Sequence, residues 1–211
     1  MSIGFAVLVD IVRSREMENP ERDLERIEST LAAVNDSVVA AQPLEPTIGD
    51  EFQGAYGSIY QALLATTLVR LTLPDSIECR FGIGFGEYTE IGESRIGLVQ
   101  HGPAWWTARA AIDHARALEY GDSPWLRSWF ESEGRFPETE LVNSVLVCRD
   151  ELISGLSANS RHVVAGAMSG LTQAEIAQHL GISQPAVSKS LKRPRSAALL
   201  SIVALLRGAI R

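Results

Sequence analysis

The order of apolar and polar positions predicts alternating strands and helices along the first part of the chain. A continuous apolar run from Gly4 to Val12 is rich in β-branched residues and too short for a helix, so it predicts a buried central strand. Asp10 lies near its end, where a carboxylate is costly unless it is paired, exposed or bound to a cation. After Pro20, apolar residues recur at helical spacing and predict an amphipathic helix. These positions are Leu24, Ile27, Leu31, Val34 and Val38.

The middle of the chain predicts one fully buried helix and one glycine-rich strand. Ser58 to Leu73 is apolar almost throughout, so this helix must be covered on all sides. Ile77 to Glu87 alternates apolar residues with glycine and charge, which is typical of a core strand. Its glycines lack the GxGxxG spacing of a dinucleotide site, and they predict the close approach of another backbone or a ligand. They are Gly82, Gly84 and Gly86.

Helices account for most of the remaining pattern. One is predicted from Gly102-Pro103 to about Leu118 and another from Glu140 to Gly155, whereas residues 121–139 show no regular pattern. Ser196 to Ile210 is apolar over more than one face. This last helix therefore packs deeply against the rest of the protein or forms the seam of a dimer.

The stretch TIGDEFQG, residues 47–54, predicts the tip of a β-hairpin between the first two helices. Gly49 followed by Asp50 is a turn signal, and the flanking residues suit short strands. The hairpin would project Asp50 and Glu51. A solvated turn has the same composition, so the second acid at Asp10 is what favours a functional interpretation.

Length and composition indicate a globular protein. The 211 residues are 45% hydrophobic, enough for one large domain or for a medium domain with a small module. No secretory signal pattern and no apolar run long enough to span a membrane is present. The two cysteines are too few for a disulfide framework or a cysteine zinc site. We therefore expect a cytoplasmic protein without a membrane partner.

The charge is distributed unevenly and suggests a domain boundary. Residues 1–150 hold 12 Arg, no Lys and 24 Asp or Glu, a balance of −12, whereas residues 151–211 hold 7 Lys or Arg and 2 acids, a balance of +5; together they give the net −7. We expect one domain at 1–153 and a second at 154–211. Only the basic second part suits contact with nucleic acid.

Residues Leu171 to Leu191 predict a helix-turn-helix. Thr172 and Glu175 have the spacing of a capping box, and Gly181-Ile182-Ser183 suits a tight turn before a second helix. A preceding helix from Ser157 to Ser169 would support the pair. The pattern resembles the helix-turn-helix of sigma-like and LuxR-like regulators.

Double-stranded DNA is the partner that this pattern predicts. Glutamine and serine can contact base edges, while lysine and arginine suit phosphates. A structural or protein-binding three-helix unit remains the alternative. The predicted DNA-binding residues are Thr172, Ser183, Gln184, Ser188, Lys189, Lys192 and Arg193.

Four motifs together resemble the SatD family over nearly the whole chain. They are VLVDIVRSR at 7–15, GDEFQG at 49–54, RFGIGFGE at 80–87 and GPAWWTAR at 102–109. The resemblance does not itself imply a biochemical activity.

The same order of motifs is distantly similar to class III nucleotidyl cyclases and GGDEF-type diguanylate cyclases. This likeness implies an α+β fold with a ferredoxin-like cyclase palm, followed here by a small all-α helix-turn-helix domain. It implies Mg²⁺ or Mn²⁺ bound by Asp10, Asp50, Glu51 and the Ile11 carbonyl. It also implies a purine nucleotide, with Arg109 as its catalytic residue. The nucleotide-binding residues that it implies are Arg13, Ser14, Gly49 and Arg109.

Two departures from the cyclase pattern favour binding over catalysis. Trp105 stands where the cyclases carry an asparagine, and no lysine is present in residues 1–150 to contact the purine. We therefore expect a homodimeric transcriptional regulator with a metal- and nucleotide-binding sensor domain. The alternatives are a nucleotidyl cyclase or nucleotide hydrolase, and a degenerate scaffold for dimerisation.

Overall fold

The computed structural model describes residues 2–17, 19–47, 50–94, 97–134 and 136–210, and of residues 90–94 and 97–100 it describes the backbone alone. Six strands form a mixed sheet in this part of the chain. They are β1 (Ser2–Ile11), β2 (Gln42–Pro46), β3 (Glu51–Tyr56), β4 (Cys79–Ser94), β5 (Gly97–His101) and β6 (Ser128–Ser132).

Eight α-helices surround the sheet within the described residues. Most begin where the sequence predicts, and two begin with a capping box, at Ser58 and at Thr172. Their bounds are α1 (Pro20–Ser37), α2 (Ile59–Thr72), α3 (Pro103–Tyr120), α4 (Thr139–Ser154), α5 (Ala158–Met168), α6 (Gln173–Leu180), α7 (Gln184–Leu191) and α8 (Pro194–Ile210).

The strand order confirms the predicted α+β class. Strands run in the order β2-β3-β1-β4, with β1 antiparallel to both β3 and β4, and β5 and β6 both pair with β4. Helix α1 connects β1 to β2, and α2 connects β3 to β4, which is the split βαβ arrangement of ferredoxin-like sheets. The predicted hairpin is present as β2 and β3, although Ile48 and Gly49 lie outside the described residues.

Strand β1 separates two apolar layers. Val7, Val9 and Ile11 face the main core, to which α1 and α2 contribute. Ala6 and Leu8 face the opposite way, onto α3. Side chains alternate across a strand, so Asp10 lies on the α3 face.

The glycines of β4 form the seat on which α3 rests. A side chain at Gly82 would overlap the carbonyl oxygen of Ala108, and one at Gly84 would overlap that of Ala104. Glycine is therefore required for the backbone of α3 to reach the sheet. The predicted close approach is confirmed, and what approaches is a helix of the same chain.

Helix α2 is enclosed between the sheet and the C-terminal helices. Its residues from Ala62 to Leu71 are all buried. Leu199, Val203 and Leu206 of α8 belong to the same apolar cluster, which explains how an all-round apolar helix is covered.

The predicted boundary at 153/154 falls in the last turn of α4, and the two-domain division remains a prediction. No helix of the described residues combines the length and apolarity needed to cross a membrane.

A charged network lies inside the core, between α2, α4 and β6. Arg149 is 1% exposed and Asp150 0%. Arg149 Nε donates to Asp150 Oδ1 at 3.1 Å, and its Nη1 donates to Thr66 Oγ1 at 2.9 Å. The Arg70 guanidinium forms an ion pair with the same carboxylate, whose Oδ2 accepts from the Arg127 backbone at 2.7 Å. One buried carboxylate thus compensates two buried guanidinium groups.

Candidate functional site

Two of the predicted acids, Asp10 and Glu51, meet at one end of the sheet, on the face that α3 covers. Asp10 of β1 lies directly opposite Glu51 of β3 and, on its other side, opposite Arg80 of β4. Side chains directly opposite one another on adjacent strands share a face. Glu51, Asp10 and Arg80 therefore form a row across three strands.

Asp10 is buried and bound by two arginines. Arg80 Nη1 donates to Asp10 Oδ2 at 3.2 Å, and Arg116 Nη2 from α3 donates to the same oxygen at 2.6 Å. Among the described residues, none donates to Asp10 Oδ1. One carboxylate oxygen therefore remains available as a ligand.

Glu51 forms a bidentate ion pair with Arg109. The two bonds, from Nη1 to Oε1 and from Nη2 to Oε2, measure 2.7 and 2.6 Å. These hydrogen bonds raise the pKa of Arg109 above its usual value, against the opposing effect of burial. Arg109, the predicted catalytic residue, is thus engaged by a carboxylate that was predicted to bind metal.

One face of α3 presents both helical arginines to the row. Arg109 and Arg116 are seven residues apart, or two helical turns, and so lie on the same side of the helix. The glycine seat on β4 brings that side down to the acids. The sequence signal for Arg116 was its spacing from Arg109, and the prediction missed it.

The row continues away from Glu51 through alternating charges. Arg80 Nε donates to Glu119 Oε2 at 2.5 Å, and Glu119 Oε1 lies 3.3 Å from Arg127 Nη1. Arg127 in turn pairs with Glu78 at 2.6 Å. Four arginines and four carboxylates therefore balance in this network, and Glu119 and Arg127 were not predicted from the sequence.

Asp50 lies apart from the row, in the turn before β3. Its backbone oxygen accepts from the Ile11 backbone N–H at 3.4 Å. Its carboxylate has no partner among the residues that the structure describes. The structure therefore brings Glu51, and not Asp50, opposite Asp10.

The donor set fits a divalent cation bound by two carboxylates. Asp10 and Glu51 offer hard oxygen ligands on one face of the sheet. Mg²⁺ commonly takes only one or two carboxylates from a protein. Within the described side chains no group of three or more potential metal ligands is clustered. A cation here would have to displace the arginines from the carboxylates.

A cavity of about 690 Å³ opens where β1 ends and α1 begins. This volume is within the range of small-ligand sites. Arg13 on its wall has a φ of 56°, a left-handed conformation that residues other than glycine rarely adopt. Glu119 joins the cavity to the charged row. Among the lining residues are Ile11, Arg13, Arg22, Arg26, Glu119 and Arg127.

The predicted nucleotide-binding residues are distributed over two places. Arg13 lines the cavity, and Ser14 follows it in a short 3₁₀ helix (Ser14–Glu16). Arg109 lies on the α3 side, and Gly49 is outside the described residues. Trp105 is buried in the α3 layer and packs the core there.

The C-terminal helices form a small cluster of their own. Val163 of α5, Ile176 of α6 and Val187 of α7 pack together, and Leu180, Ile182 and Leu191 pack against them. Gly181, with a φ of 63°, makes the turn between α6 and α7.

The exposed surface of α7 is polar and basic. Gln184, Lys189 and Lys192 are exposed, and Ser188 is half-buried. Ser183 Oγ accepts from the Ala186 backbone at 3.4 Å and caps the helix.

Several of the basic residues in this segment are already engaged by other residues, inside or outside the segment. Arg161 contacts Asp75, Arg195 Nη2 donates to Glu151 at 2.6 Å, and Arg207 donates to the Met168 carbonyl. Arg193 Nη1 donates to Ser160 Oγ at 3.2 Å. Thr172 is engaged in the capping box with Glu175. Within the described residues, Lys189 and Lys192 are thus the predicted DNA-binding cations with no such bond.

The sequence model of the SatD family matches residues 4–200. The chain belongs to the SatD family. Comparison with curated proteins found no match. The four motifs of this SatD chain all contribute to the site. They place Asp10 and Arg13, then Glu51, then Arg80 with the glycine seat, and finally Arg109 at the start of α3.

Three solved structures are also similar to this SatD chain. The adenylyl cyclase CyaB from P. aeruginosa is 15% identical with a TM-score of 0.40, covering 51% of this chain and 70% of its own. A guanylyl cyclase is 19% identical with a TM-score of 0.38, covering 51% and 71%. A bacterial light-regulated adenylyl cyclase is 15% identical with a TM-score of 0.41, covering 55% and 40%. Similarities of this size carry no argument about activity.

Proposed function

We propose that this protein is a regulator that binds duplex DNA through α7. The observation that supports this function is the α6–α7 pair, joined by a tight glycine turn. Its second helix exposes Gln184 and Lys189, and Lys192 is exposed at the C-cap; neither lysine has a carboxylate partner in the described part of the chain. A helix presented in this way fits the major groove, where glutamine can pair with adenine and lysines can contact phosphates.

The remaining predicted residues would contact the edges of the groove. Ser183 and Ser188 are placed at the start and middle of α7, and Thr172 and Arg193 flank the pair, where phosphates would lie. The acidic part of the chain repels DNA, so its charge orients the complex. A homodimer, for which the exposed Leu205 of α8 offers an apolar contact, would give a two-fold DNA site.

The Lys189→Ala/Lys192→Ala double variant is expected to lose about tenfold or more in affinity for a mixed-sequence duplex. Two phosphate contacts are removed, so the slope of log affinity against log salt falls by about 2 units. Fluorescence anisotropy between about 50 and 200 mM salt measures both quantities.

Arg22→Ala/Arg26→Ala is the matched control because it removes the same charge from α1. It should leave the affinity nearly unchanged. Equal losses in the two double variants, or no binding of the duplex by the wild type at low salt, would contradict DNA binding through α7.

A second proposed function is the binding of a metal–nucleotide complex by the sheet domain. It is favoured by the carboxylate row beside the cavity of about 690 Å³. Asp10, Glu51 and Asp50 would hold Mg²⁺ or Mn²⁺, with the Ile11 carbonyl at the edge of the site. Arg13, Ser14 and Arg109 would contact the nucleotide. The bound cation would neutralise phosphate charge.

Titration of Mg²⁺ with ATP or GTP is expected to show binding that falls at least tenfold in Asp10→Asn/Asp50→Asn, because two of the ligands lose their charge. Asp122→Asn, an exposed acid elsewhere, is the control. Calorimetry measures the binding, and chromatography after incubation with Mn²⁺ detects products. Binding without product indicates a sensor, and a cyclic or hydrolysed product indicates an enzyme. Absence of binding would leave the sheet domain as a scaffold.

A further inference from the structure

We propose that Arg109 and Arg116 form a paired polyphosphate site, which Glu51 and Asp10 hold closed in the ligand-free protein. The proposal rests on the metal–nucleotide function proposed above and specifies how its ligand enters. The acids that would bind the cation are the ones that bind the two arginines of α3. A cation on the acids therefore releases two guanidinium groups at the same place and time.

The exposed fractions of the Arg80, Arg109 and Arg116 side chains show which of them can leave their carboxylate partners. The side chains of Arg109 and Arg116 are 43% and 44% exposed, so each can turn into solvent without losing a buried position. Arg80 is 6% exposed and also bonds Glu119. Arg80 thus keeps Asp10 in place while the α3 pair exchanges its partners.

The spacing of the pair specifies the class of ligand. Seven helical residues separate the two Cα atoms by about 10 Å along the axis, and both side chains leave the same face of α3. Arginine binds phosphate oxygens through a planar fork with two parallel bonds. Two forks at this distance fit a chain of two or three phosphates, whereas a single phosphate can satisfy only one.

The charges couple the cation to the anion. A divalent cation that binds alone must first displace the guanidinium groups from Asp10 and Glu51. A polyphosphate that binds alone must displace the same two carboxylates from the arginines of α3. When both arrive together, each carboxylate gains a cation and each arginine gains a phosphate. Binding of the two ligands is therefore mutually reinforcing, and by linkage each raises the affinity of the other by the same factor.

The test uses Mn²⁺ and inorganic tripolyphosphate with the full chain. In the wild type, tripolyphosphate should raise the affinity for Mn²⁺ by about tenfold or more, a usual size for such coupling. In Arg109→Gln/Arg116→Gln, the affinity for Mn²⁺ alone should rise by about the same factor, because Glu51 no longer has Arg109 as its partner and Asp10 keeps only Arg80. The effect of tripolyphosphate should disappear in this variant. Electron paramagnetic resonance of free Mn²⁺ gives each affinity, and circular dichroism checks the fold.

Arg195→Gln is a control, since Arg195 is 48% exposed and pairs with Glu151, which is not part of the row of acids and arginines. It should leave both affinities unchanged. Arg109→Lys/Arg116→Lys keeps the charge without the planar fork and should retain only a small part of the coupling, which provides a second test if the glutamine variant fails to fold.

The outcomes separate this proposal from the function on which it rests. If the wild type binds Mn²⁺ with tripolyphosphate but the glutamine variant binds Mn²⁺ alone no better, the exchange is wrong and the metal–nucleotide function stands. If neither protein binds Mn²⁺, with or without tripolyphosphate, both are wrong. Tighter Mn²⁺ binding by the arginine variant, with loss of the coupling, supports both.

Discussion

Asp150→Asn should lower the free energy of unfolding by about 3–5 kcal/mol, the usual cost of breaking a buried ion pair from one side. Asp150 is fully buried and compensates both Arg70 and Arg149. An amide cannot neutralise either guanidinium group, and little solvent reaches them, because Arg70 is 6% and Arg149 1% exposed. Chemical denaturation measures the loss directly, and the melting temperature of a chain of this size should fall by about 10 °C.

The pH dependence of the free energy of unfolding provides an independent check on Asp150. Burial alone would raise the pKa of Asp150, but the charges of Arg70 and Arg149 outweigh it and hold the pKa below the usual carboxyl value. The stabilisation is therefore complete above the unfolded-state pKa of about 3.9 and is lost as the pH falls through the lower folded-state value. The free energy of unfolding of Asp150→Asn should therefore not show this loss as the pH falls.

Asp113→Asn is the control for this result. Asp113 is 64% exposed and lies 3.9 Å from Arg116, so its loss should change stability by less than about 0.5 kcal/mol. Loss of under about 1 kcal/mol in Asp150→Asn would mean that the buried arginines find other partners, and would contradict the network as described.

Gly84→Ala should destabilise the protein by about 3 kcal/mol or more, at the upper end of the cost of overpacking. The added methyl group would overlap backbone atoms of Ala104 and Ala108, which cannot turn away as a side chain can. Helix α3 must then lift from β4, and Arg109 moves with it. Denaturant unfolding measures the loss, and the Mn²⁺–tripolyphosphate coupling should weaken in parallel.

Gly208→Ala is the control, a glycine at which an added methyl group overlaps no other atom. Gly208 lies within α8 and has no neighbour within 4 Å of an added methyl group, so the substitution should stabilise the protein by about 0.5–1 kcal/mol. If Gly84→Ala were as stable as the wild type, the close seat of α3 on the sheet would be wrong.

Regular patterns allowed much of the fold to be predicted from the sequence. The apolar run of β1 and the helical spacing of α1 each carry their own signal, and both elements are present. Strand β6 carries no such signal because five residues are too few for a periodicity and its partner β4 is distant in the chain. Strand β2 contains two prolines, Pro43 and Pro46, which an edge strand tolerates.

The acids of the site were predictable, but their partners were not. Asp10 and Glu51 lie in recognisable motifs, whereas Arg80 and Arg116 are 70 and 106 residues from Asp10. Only the register of β1 against β4 and the seat of α3 bring these groups together. The basic charge of the C-terminal part was likewise visible in the sequence. That Arg161 and Arg195 bind this part to Asp75 and Glu151 was not visible in it.

The enclosure of α2 affects how relatives of this protein should be compared. A relative that did not bind DNA would still need α8 to cover α2, since losing α8 would expose a helix that is apolar on every side. Natural selection would then retain the C-terminal helices for solubility alone. Their persistence in a relative is therefore no sign that it binds DNA. The informative positions are the outward ones of α7, which α2 does not constrain: Gln184, Lys189 and Lys192.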